Sequence, residues 1–239
     1  MIRVEIVSLP TLLSLEYCTS CLVALKDCLH FRYPTSTSSR LLQIVTMQSG
    51  PNSYLKSKFM GVHIRTPRLV LRIEDHIGSG RFGDVFRATE TSSGGSFAVK
   101  IVPKTPYWAL EAIYHGVLAE HPNIITLHSI SENEDFGFLV LDYCDGLDLH
   151  RSVHYSRAFA GDTDAIKHVF LQIVDAVQHC HQNTVYHRDL KLENVLYDPR
   201  TGQAFLTDFG VSTDDGWSTE YRAGTVRIIS PGGFKSASS

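Results

Sequence analysis

The sequence predicts an α+β fold in which a small antiparallel sheet with one helix is followed by a mainly helical lobe. Three patterns predict it: apolar alternation from Leu69, a helical apolar stripe after Thr105, and a longer one after Asp162. The 239 residues are 43% apolar and 20% charged, with a net charge of −3. This composition excludes collagen-like, disulfide-dense and wholly disordered chains, and it gives no electrostatic footprint for nucleic acid.

Residues 1–68 are expected to form a flexible N-terminal extension, because Pro34 to Ser53 holds eight Ser or Thr in twenty residues. No stretch reaches the roughly 18 consecutive apolar residues that a membrane-spanning helix needs, so no membrane partner is expected. The five cysteines are an odd number and widely scattered, which favours a reducing, intracellular location, cytoplasmic or nuclear.

The first strands follow from alternation and turn residues. Leu69 to Ile73 alternates apolar and polar side chains, as a half-buried strand does. A glycine-rich turn at Gly78 comes next. Val85 to Thr89 and Ser96 to Val102 then predict two further strands, joined as a hairpin.

The next element is a helix that starts near Thr105, with Pro106 at the first helical position. Its apolar stripe consists of Leu110, Ile113, Tyr114, Val117 and Leu118. The helix ends before His121, and two strands are expected at Ile125 to Ile130 and Phe136 to Tyr143.

A second helix is capped by Asp162 or Thr163. Its predicted apolar face contains Ile166, Val169, Phe170, Ile173, Val174 and Val177. Short strands are expected at Val195 to Tyr197 and Ala204 to Thr207, which completes the order sheet first and helices later.

The first motif is the glycine pattern Gly78, Gly80 and Gly83. Such a pattern is weak alone, because it also occurs in dinucleotide-binding folds, where it opens a helix. Here a strand follows it, so the glycines predict a hairpin whose backbone closes over phosphates without obstruction by side chains. An ordinary glycine-rich hairpin is the alternative.

The second motif is Ala98-Val99-Lys100, with Glu111 eleven residues later. A lysine on a buried strand is unfavourable unless it is paired. An ion pair between Lys100 and Glu111 would aim the ammonium group at the α- and β-phosphates of a nucleotide. A solvated surface lysine is the alternative.

The third and fourth motifs are His187 to Asn194 and Asp208-Phe209-Gly210. Asp189 can accept or orient a hydroxyl proton, and Lys191 can neutralise a moving phosphoryl group. Asn194 and Asp208 can hold Mg²⁺ that bridges phosphates. These residue types fit phosphoryl transfer, which depends on positioning and on charge neutralisation.

In this order the motifs resemble those of eukaryotic protein kinases, and the resemblance covers Leu69 to Pro231. Lys191 after His187-Arg188-Asp189-Leu190 resembles the serine/threonine pattern. The resemblance implies a bilobal fold, with an N-lobe over 69–143 and a partial helical C-lobe over 144–239. It also implies ATP and Mg²⁺ as cofactors and a protein substrate with Ser or Thr.

The same resemblance implies an adenine pocket. Leu141 to Cys144 would form the hinge, with Leu141 at the gatekeeper position. Val85, Ala98 and Leu196 would sandwich the purine, and Asp148 would reach the ribose. Glu111 to His115 and His121 to Ile125 further resemble a fungal group of meiosis-regulating serine/threonine kinases.

The pattern also departs from the family. Gly232 stands where the family has glutamate, and the chain ends eight residues after Pro231, so an incomplete, C-terminally truncated helical lobe is expected. Apolar side chains such as Phe170 and Val177 would then be partly exposed. A nucleotide-binding or regulatory fragment with impaired catalysis, its helical lobe covered by a partner, is the alternative function.

Overall fold

The computed structural model describes residues 53–80, 82–105, 108–118 and 121–215. These residues divide into two units, of which the first contains the described residues up to Leu110 together with His128–Tyr143. The second contains Glu111–Leu127 and the described residues from Cys144 onward. The predicted extension over 1–52, the helix start at Pro106 and the departure at Gly232 lie outside the described residues.

The first unit is built on a six-stranded sheet with the strand order β1-β2-β3-β4-β6-β5. The strands are β1 His63–Arg65, β2 Val70–Ser79, β3 Asp84–Glu90, β4 Ser96–Pro103, β5 Leu127–Glu132 and β6 Phe136–Asp142. Neighbouring strands from β1 to β4, and β4 with β6, pair antiparallel. The predicted strands are confirmed, and the bounds of β3 to β6 agree with the prediction within two residues. Strand β2 extends six residues beyond the predicted Ile73 and includes Gly78, where the turn was expected.

The folded region begins before residue 69, which corrects the predicted boundary at residue 68. Helix α1 spans Ser53–Phe59, and β1 pairs with β2 through His63 and Arg72. Phe59 is buried, with its ring 5.2 Å from that of Phe136 and 5.8 Å from that of Phe138. The sequence pattern did not predict this helix, because it is seven residues long and has only two buried apolar side chains, Leu55 and Phe59.

One face of the sheet forms the hydrophobic core of the first unit. It is covered by Leu55 and Phe59 of α1. The sheet residues of this core are Ile64, Leu71, Ile73, Phe86, Ala88, Val99, Ile101, Phe136, Phe138 and Val140. Since side chains alternate along a strand, the residues between them point to the other face.

Helix α2 spans Trp108–Val117 and runs from the first unit into the second. The Trp108 N–H donates to the Thr105 carbonyl over 3.2 Å, so Thr105 precedes the first turn as predicted. Burial extends beyond the predicted stripe to Glu111, Ala112 and His115. The helix is therefore enclosed on more than one side.

The second unit has a three-stranded antiparallel sheet and two further helices. Its elements are β7 Leu147–Asp148, α3 Leu149–His154, α4 Thr163–Gln182, a 3₁₀ turn at Leu192–Asn194, β8 Val195–Asp198 and β9 Gln203–Leu206. Asp162 is the N-cap of α4, because its Oδ1 accepts from the Ala165 N–H over 2.8 Å. That decides between the two caps left open by the sequence.

The predicted apolar face of α4 is divided between core and solvent. Val169 is buried, and Ile173 and Val177 pack partly against the core. Ile166, Phe170, Leu171 and Val174 are exposed, with Phe170 at 62%. The expected partial exposure of Phe170 is confirmed. In the described part of the chain, no helix combines the length and apolar character needed to cross a membrane.

Candidate active site

The glycine hairpin connects β2 to β3, and its three glycines differ in how tightly they are packed. The Gly80 N–H donates to the Gly83 carbonyl over 2.8 Å and closes the turn. A Cβ on Gly83 would lie 2.2 Å from the Ile101 carbonyl oxygen, whereas one on Gly78 would meet nothing within 4 Å. Packing against β4 therefore requires glycine only at Gly83.

Four of the predicted nucleotide-binding residues lie on one face of the sheet. Val85 pairs with Lys100, and Ala98 pairs with Leu141. Cross-strand partners and residues two apart share a face, so all four side chains point to the same side, opposite to the core. The sheet thus brings together the predicted purine contacts and the predicted phosphate-binding lysine of this unit.

Lys100 is a buried residue with 6% exposure, which excludes the alternative of a solvated surface lysine. Glu111 is buried to the same extent on α2. The two residues belong to different units, and the ion pair between them stays a prediction.

The loop before β8 brings three predicted catalytic and metal-binding residues together in one hydrogen-bonded cluster. Lys191 Nζ donates to Asp189 Oδ2 over 2.8 Å. Asn194 Nδ2 donates to the same oxygen over 3.1 Å and to the Asp189 carbonyl over 2.9 Å. The Asp189 carboxylate is therefore held in one orientation by a cation and an amide.

Two motif residues have left-handed backbone conformations that non-glycine residues rarely adopt. The φ angle is 63° at Arg188 and 66° at Asp208. The Arg188 Nε–H donates to the Val211 carbonyl over 2.6 Å, which ties the two segments together. Such conformations cost roughly 1–3 kcal/mol and concentrate at functional sites.

Phe209 is fully buried between two histidine rings, which fixes the segment that carries Asp208. Its ring centroid lies 4.9 Å from that of His115 on α2 and 4.9 Å from that of His187. The His115 Nε2 is hydrogen-bonded to the Ile125 carbonyl, and the His187 Nε2 to the Thr207 carbonyl over 3.0 Å. Burial lowers the pKa of His187, so this imidazole is held in its neutral form.

The predicted metal ligands Asn194 and Asp208 are placed on neighbouring segments. The Thr207 N–H, one residue before Asp208, donates to the Asn194 carbonyl over 3.0 Å. Both side chains offer the hard oxygen ligands that Mg²⁺ prefers. Among the described residues, no three His, Cys, Asp or Glu side chains form a metal-binding group. The set fits Mg²⁺ held by few protein ligands together with phosphates.

The remaining predicted contacts lie where β7 meets β8. Asp148 pairs with Leu196 across these strands. Asp148 Oδ1 also accepts from the Arg151 N–H over 2.8 Å and caps α3, a role the sequence did not suggest. Cys144 is half-buried, and burial, followed by the charge of Asp198, raises the pKa of its thiol.

Sequence reasoning missed the contacts of α2 with the segment after Asp208. His115 lies four residues after Glu111, one helical turn away, and it reaches Phe209. Tyr114 Oη donates to Asp214 Oδ1 over 3.2 Å. The one-turn spacing of His115 from Glu111 could have indicated that both side chains lie on one side of the helix. A search for apolar periodicity does not count a histidine and therefore missed it.

Comparison with known proteins agrees with this geometry. A family model described as a protein kinase domain matches residues 71–232. The negative regulator of sexual conjugation and meiosis of Schizosaccharomyces pombe is 36% identical over 168 residues, which cover 67% of this chain and 36% of that protein. This similarity agrees with the fungal resemblance noted in the sequence.

Two relatives from other kingdoms show similar identity. CBL-interacting serine/threonine-protein kinase 1 of Arabidopsis thaliana is 37% identical over 143 residues, 57% of this chain and 32% of that protein. The calcium/calmodulin-dependent protein kinase type II alpha chain of Drosophila melanogaster is 34% identical over 172 residues, 66% of this chain and 32% of that protein. The chain thus spans about a third of the length of these relatives.

Proposed function

We propose that this chain, which belongs to the protein kinase domain family, transfers the γ-phosphate of ATP to serine or threonine hydroxyls of a protein substrate. The observation that carries the proposal is the convergence of Lys191 and Asn194 on the Asp189 carboxylate. An ordinary surface loop does not need a carboxylate held by two donors in this way, whereas phosphoryl transfer needs one beside the attacking hydroxyl.

Asp189 is assigned the role of the residue that orients the substrate hydroxyl and accepts its proton. With Oδ2 held by Lys191 and Asn194, the carboxylate cannot rotate away from an incoming hydroxyl. Lys191 is a fixed cation beside the reacting centre and offsets the negative charge that spreads over the transferred phosphoryl group. Both roles depend on positions that the loop already holds.

Magnesium is assigned to Asn194 and Asp208. Because the Asn194 Nδ2 is engaged by Asp189, its amide oxygen is directed away from that carboxylate and suits a hard cation. When bound, Mg²⁺ would neutralise part of the charge of the phosphates. Asp208 is the second ligand. Its backbone position is fixed by its left-handed conformation and by the buried Phe209 that follows it.

ATP is assigned to the residues that the motifs identify. Gly78, Gly80 and Gly83 would cover the phosphates, and Lys100, supported by Glu111, would hold the α- and β-phosphates. The purine would contact Val85, Ala98, Leu141, Cys144 and Leu196, and Asp148 would reach the ribose. The shared face of β3, β4 and β6 supports the assignment for the sheet residues.

Phosphate transfer itself is the first test. The purified chain is incubated with radiolabelled Mg-ATP and protein acceptors, in parallel with Asp189→Asn and the matched surface variant Asp164→Asn. We expect Asp189→Asn to lower incorporation by about 100-fold or more, the usual contribution of a positioned base. Asp164→Asn should behave as the parent chain does. Equal incorporation in the parent and Asp189→Asn would refute the assignment.

Nucleotide binding is tested separately by thermal unfolding with and without Mg-ATP. A ligand at 100 times its dissociation constant adds about 2.7 kcal/mol of stability, which corresponds to a shift of several degrees for a chain of this size. The shift should vanish in Lys100→Met and in excess EDTA. A parent chain that melts at the same temperature with and without Mg-ATP would show that the nucleotide site is not formed.

A regulatory, catalytically impaired nucleotide-binding module is the second candidate. The observation that favours it is the row of exposed apolar side chains on α4, Ile166, Phe170, Leu171 and Val174. A row of this spacing suits an amphipathic helix of a partner protein. Under this candidate Mg-ATP raises the melting temperature, but phosphate incorporation does not exceed that of Asp189→Asn.

A further inference from the structure

Three polar side chains meet at the base of the glycine hairpin. His76 Nε2 lies 3.1 Å from Ser79 Oγ, near the end of β2. The same nitrogen lies 3.6 Å from Asp84 Oδ1, at the start of β3. A single imidazole therefore contacts both strands of the hairpin just before its tip.

A bulge in β2 makes this arrangement possible. The register of β2 and β3 shifts between His76 and Gly78, so Ile77 is an extra residue in β2. Without the bulge, side chains three residues apart would point to opposite faces. With it, His76 pairs with Phe86 and Ser79 pairs with Asp84, and all four side chains lie on one face.

The ring of His76 is also fixed by packing. Its centroid lies 5.1 Å from that of Phe86, in an edge-to-face arrangement. Phe86 is fully buried in the core of the sheet, so the imidazole is anchored on a rigid neighbour. The imidazole thus connects the core of the first unit to the hairpin.

Asp84 indicates which ring nitrogen of His76 carries the hydrogen. The residue is 2% exposed, and its Oδ2 has no hydrogen-bond partner in the part of the chain that the structure describes. A buried carboxylate oxygen beside Nε2 favours the tautomer with hydrogen on that nitrogen, because otherwise two lone pairs would face each other. With that tautomer, the His76 Nε2–H donates to Ser79 Oγ over 3.1 Å. Asp84 Oδ1, 3.6 Å from the same nitrogen, lies beyond hydrogen-bond distance.

We propose that His76 is a positioning residue that braces the glycine hairpin from the face opposite to Val85. Glycines allow the tip a wide range of backbone conformations, so its order must come from contacts at its base. The imidazole supplies such a contact to both strands. The effect of the brace on Mg-ATP affinity rests on the proposed function. Its effect on the order of the hairpin is independent of that function.

Two substitutions distinguish the contribution of the His76 hydrogen bond from that of its ring packing. His76→Phe keeps the packing on Phe86 and removes the hydrogen bond, whereas His76→Gln keeps a donor and removes the ring. His63→Phe, at an exposed position of β1 in the same sheet, is the matched control. Hydrogen–deuterium exchange of the Gly78–Gly83 amides is measured without nucleotide, and Mg-ATP affinity is then measured on the same proteins.

We expect His76→Phe to speed exchange of these amides by about threefold to tenfold, the factor one hydrogen bond is worth. His76→Gln should recover most of the protection, and His63→Phe should match the parent chain. Mg-ATP affinity should fall by a similar factor in His76→Phe alone. Unchanged exchange in His76→Phe would overturn the brace. If exchange is faster in His76→Phe but the parent chain does not bind Mg-ATP, the brace stands and the result counts against the proposed function.

Discussion

At the scale of single residues, the candidate site depends on the glycine at position 83 and on the neutral imidazole of His187. Gly83 passes so close to the Ile101 carbonyl that a Cβ has no room. His187 is enclosed beside Phe209, and burial lowers its pKa. Each condition can be broken by one substitution.

Gly83→Ala is expected to destabilise the first unit, because the new Cβ would sit 2.2 Å from a backbone oxygen and the strands must separate to admit it. Overpacking of this kind costs about 1–3 kcal/mol. The melting temperature should fall by several degrees. Gly78→Ala is the matched control, since a Cβ there meets nothing within 4 Å. Equal melting temperatures for the two variants would contradict the packing argument.

His187 should make the stability of the chain depend on pH. Its folded-state pKa is lowered by burial, whereas in the unfolded chain a histidine titrates near 6.5. The unfolded state therefore binds more protons once the pH falls below about 6.5, and stability present at neutral pH is lost on acidification. The slope is at most about 1.4 kcal/mol per pH unit, that of one proton.

The measurement is the free energy of unfolding in urea between pH 7.5 and 5.5. We expect the His187→Gln variant to lose less stability over this interval than the parent chain, because glutamine keeps a donor for the Thr207 carbonyl and takes up no proton. A variant whose stability falls as steeply as that of the parent would show that His187 is not the group that titrates.

At the scale of elements, α1 shows how a short helix can be part of the core. Leu55 and Phe59 are one turn apart and cover the same face of the sheet. Lys58 reinforces the contact, because its Nζ lies 4.5 Å from the centroid of the Phe136 ring and 3.5 Å from Asp135 Oδ2. The helix thus belongs to the first unit, although the kinase family model begins at residue 71.

Removing the anchor of this helix should be costly. Phe59→Ala is expected to lower the free energy of unfolding by about 3 kcal/mol or more, as truncation of a buried phenylalanine usually does. Tyr54→Ala, on the same helix but 60% exposed, should change it by less than about 0.5 kcal/mol. Chemical denaturation of both variants checks this. If the two cost the same, α1 is not docked on the sheet through Phe59.

The longer elements that the sequence predicted have a readable apolar pattern. The start of β2 alternates, β6 is a nearly continuous apolar run, and α4 repeats its apolar positions over 20 residues. The elements it missed are short or irregular: α1, β1, β7, α3 and the bulge at Ile77. A helix of two turns and a one-residue insertion leave too few apolar positions for a period to appear.

The candidate site could be predicted further than its supporting contacts. Asp189, Lys191 and Asn194 lie within six residues, so their chemistry and spacing already implied a cluster, and the structure places them in one. The packing of His115 on Phe209 joins residues far apart in sequence. The left-handed conformations of Arg188 and Asp208 are likewise set by tertiary contacts and not by residue type.

At the scale of the whole molecule, each unit has its own hydrophobic core. Among the described residues, α4 carries a row of four exposed apolar side chains. The core of the second unit includes Val169, Ala176 and Cys180 from that helix. The opposite side of the same helix exposes Phe170 and Leu171. Stability and association should therefore respond to different residues of one helix.

Phe170→Ser is expected to leave the free energy of unfolding within about 0.5 kcal/mol of the parent chain, because the ring is 62% exposed and its removal opens no cavity. The same change should lower the binding of a hydrophobic dye and raise solubility, since it interrupts the exposed apolar row on α4. Val169→Ala is the matched control and should do the reverse. It removes buried methyl groups, costs about 2 kcal/mol, and leaves dye binding to the folded chain unchanged. A Phe170→Ser variant that loses as much stability as Val169→Ala would mean that the ring is buried in solution. The row on α4 would then be covered in the folded chain, and the regulatory candidate would lose its docking surface.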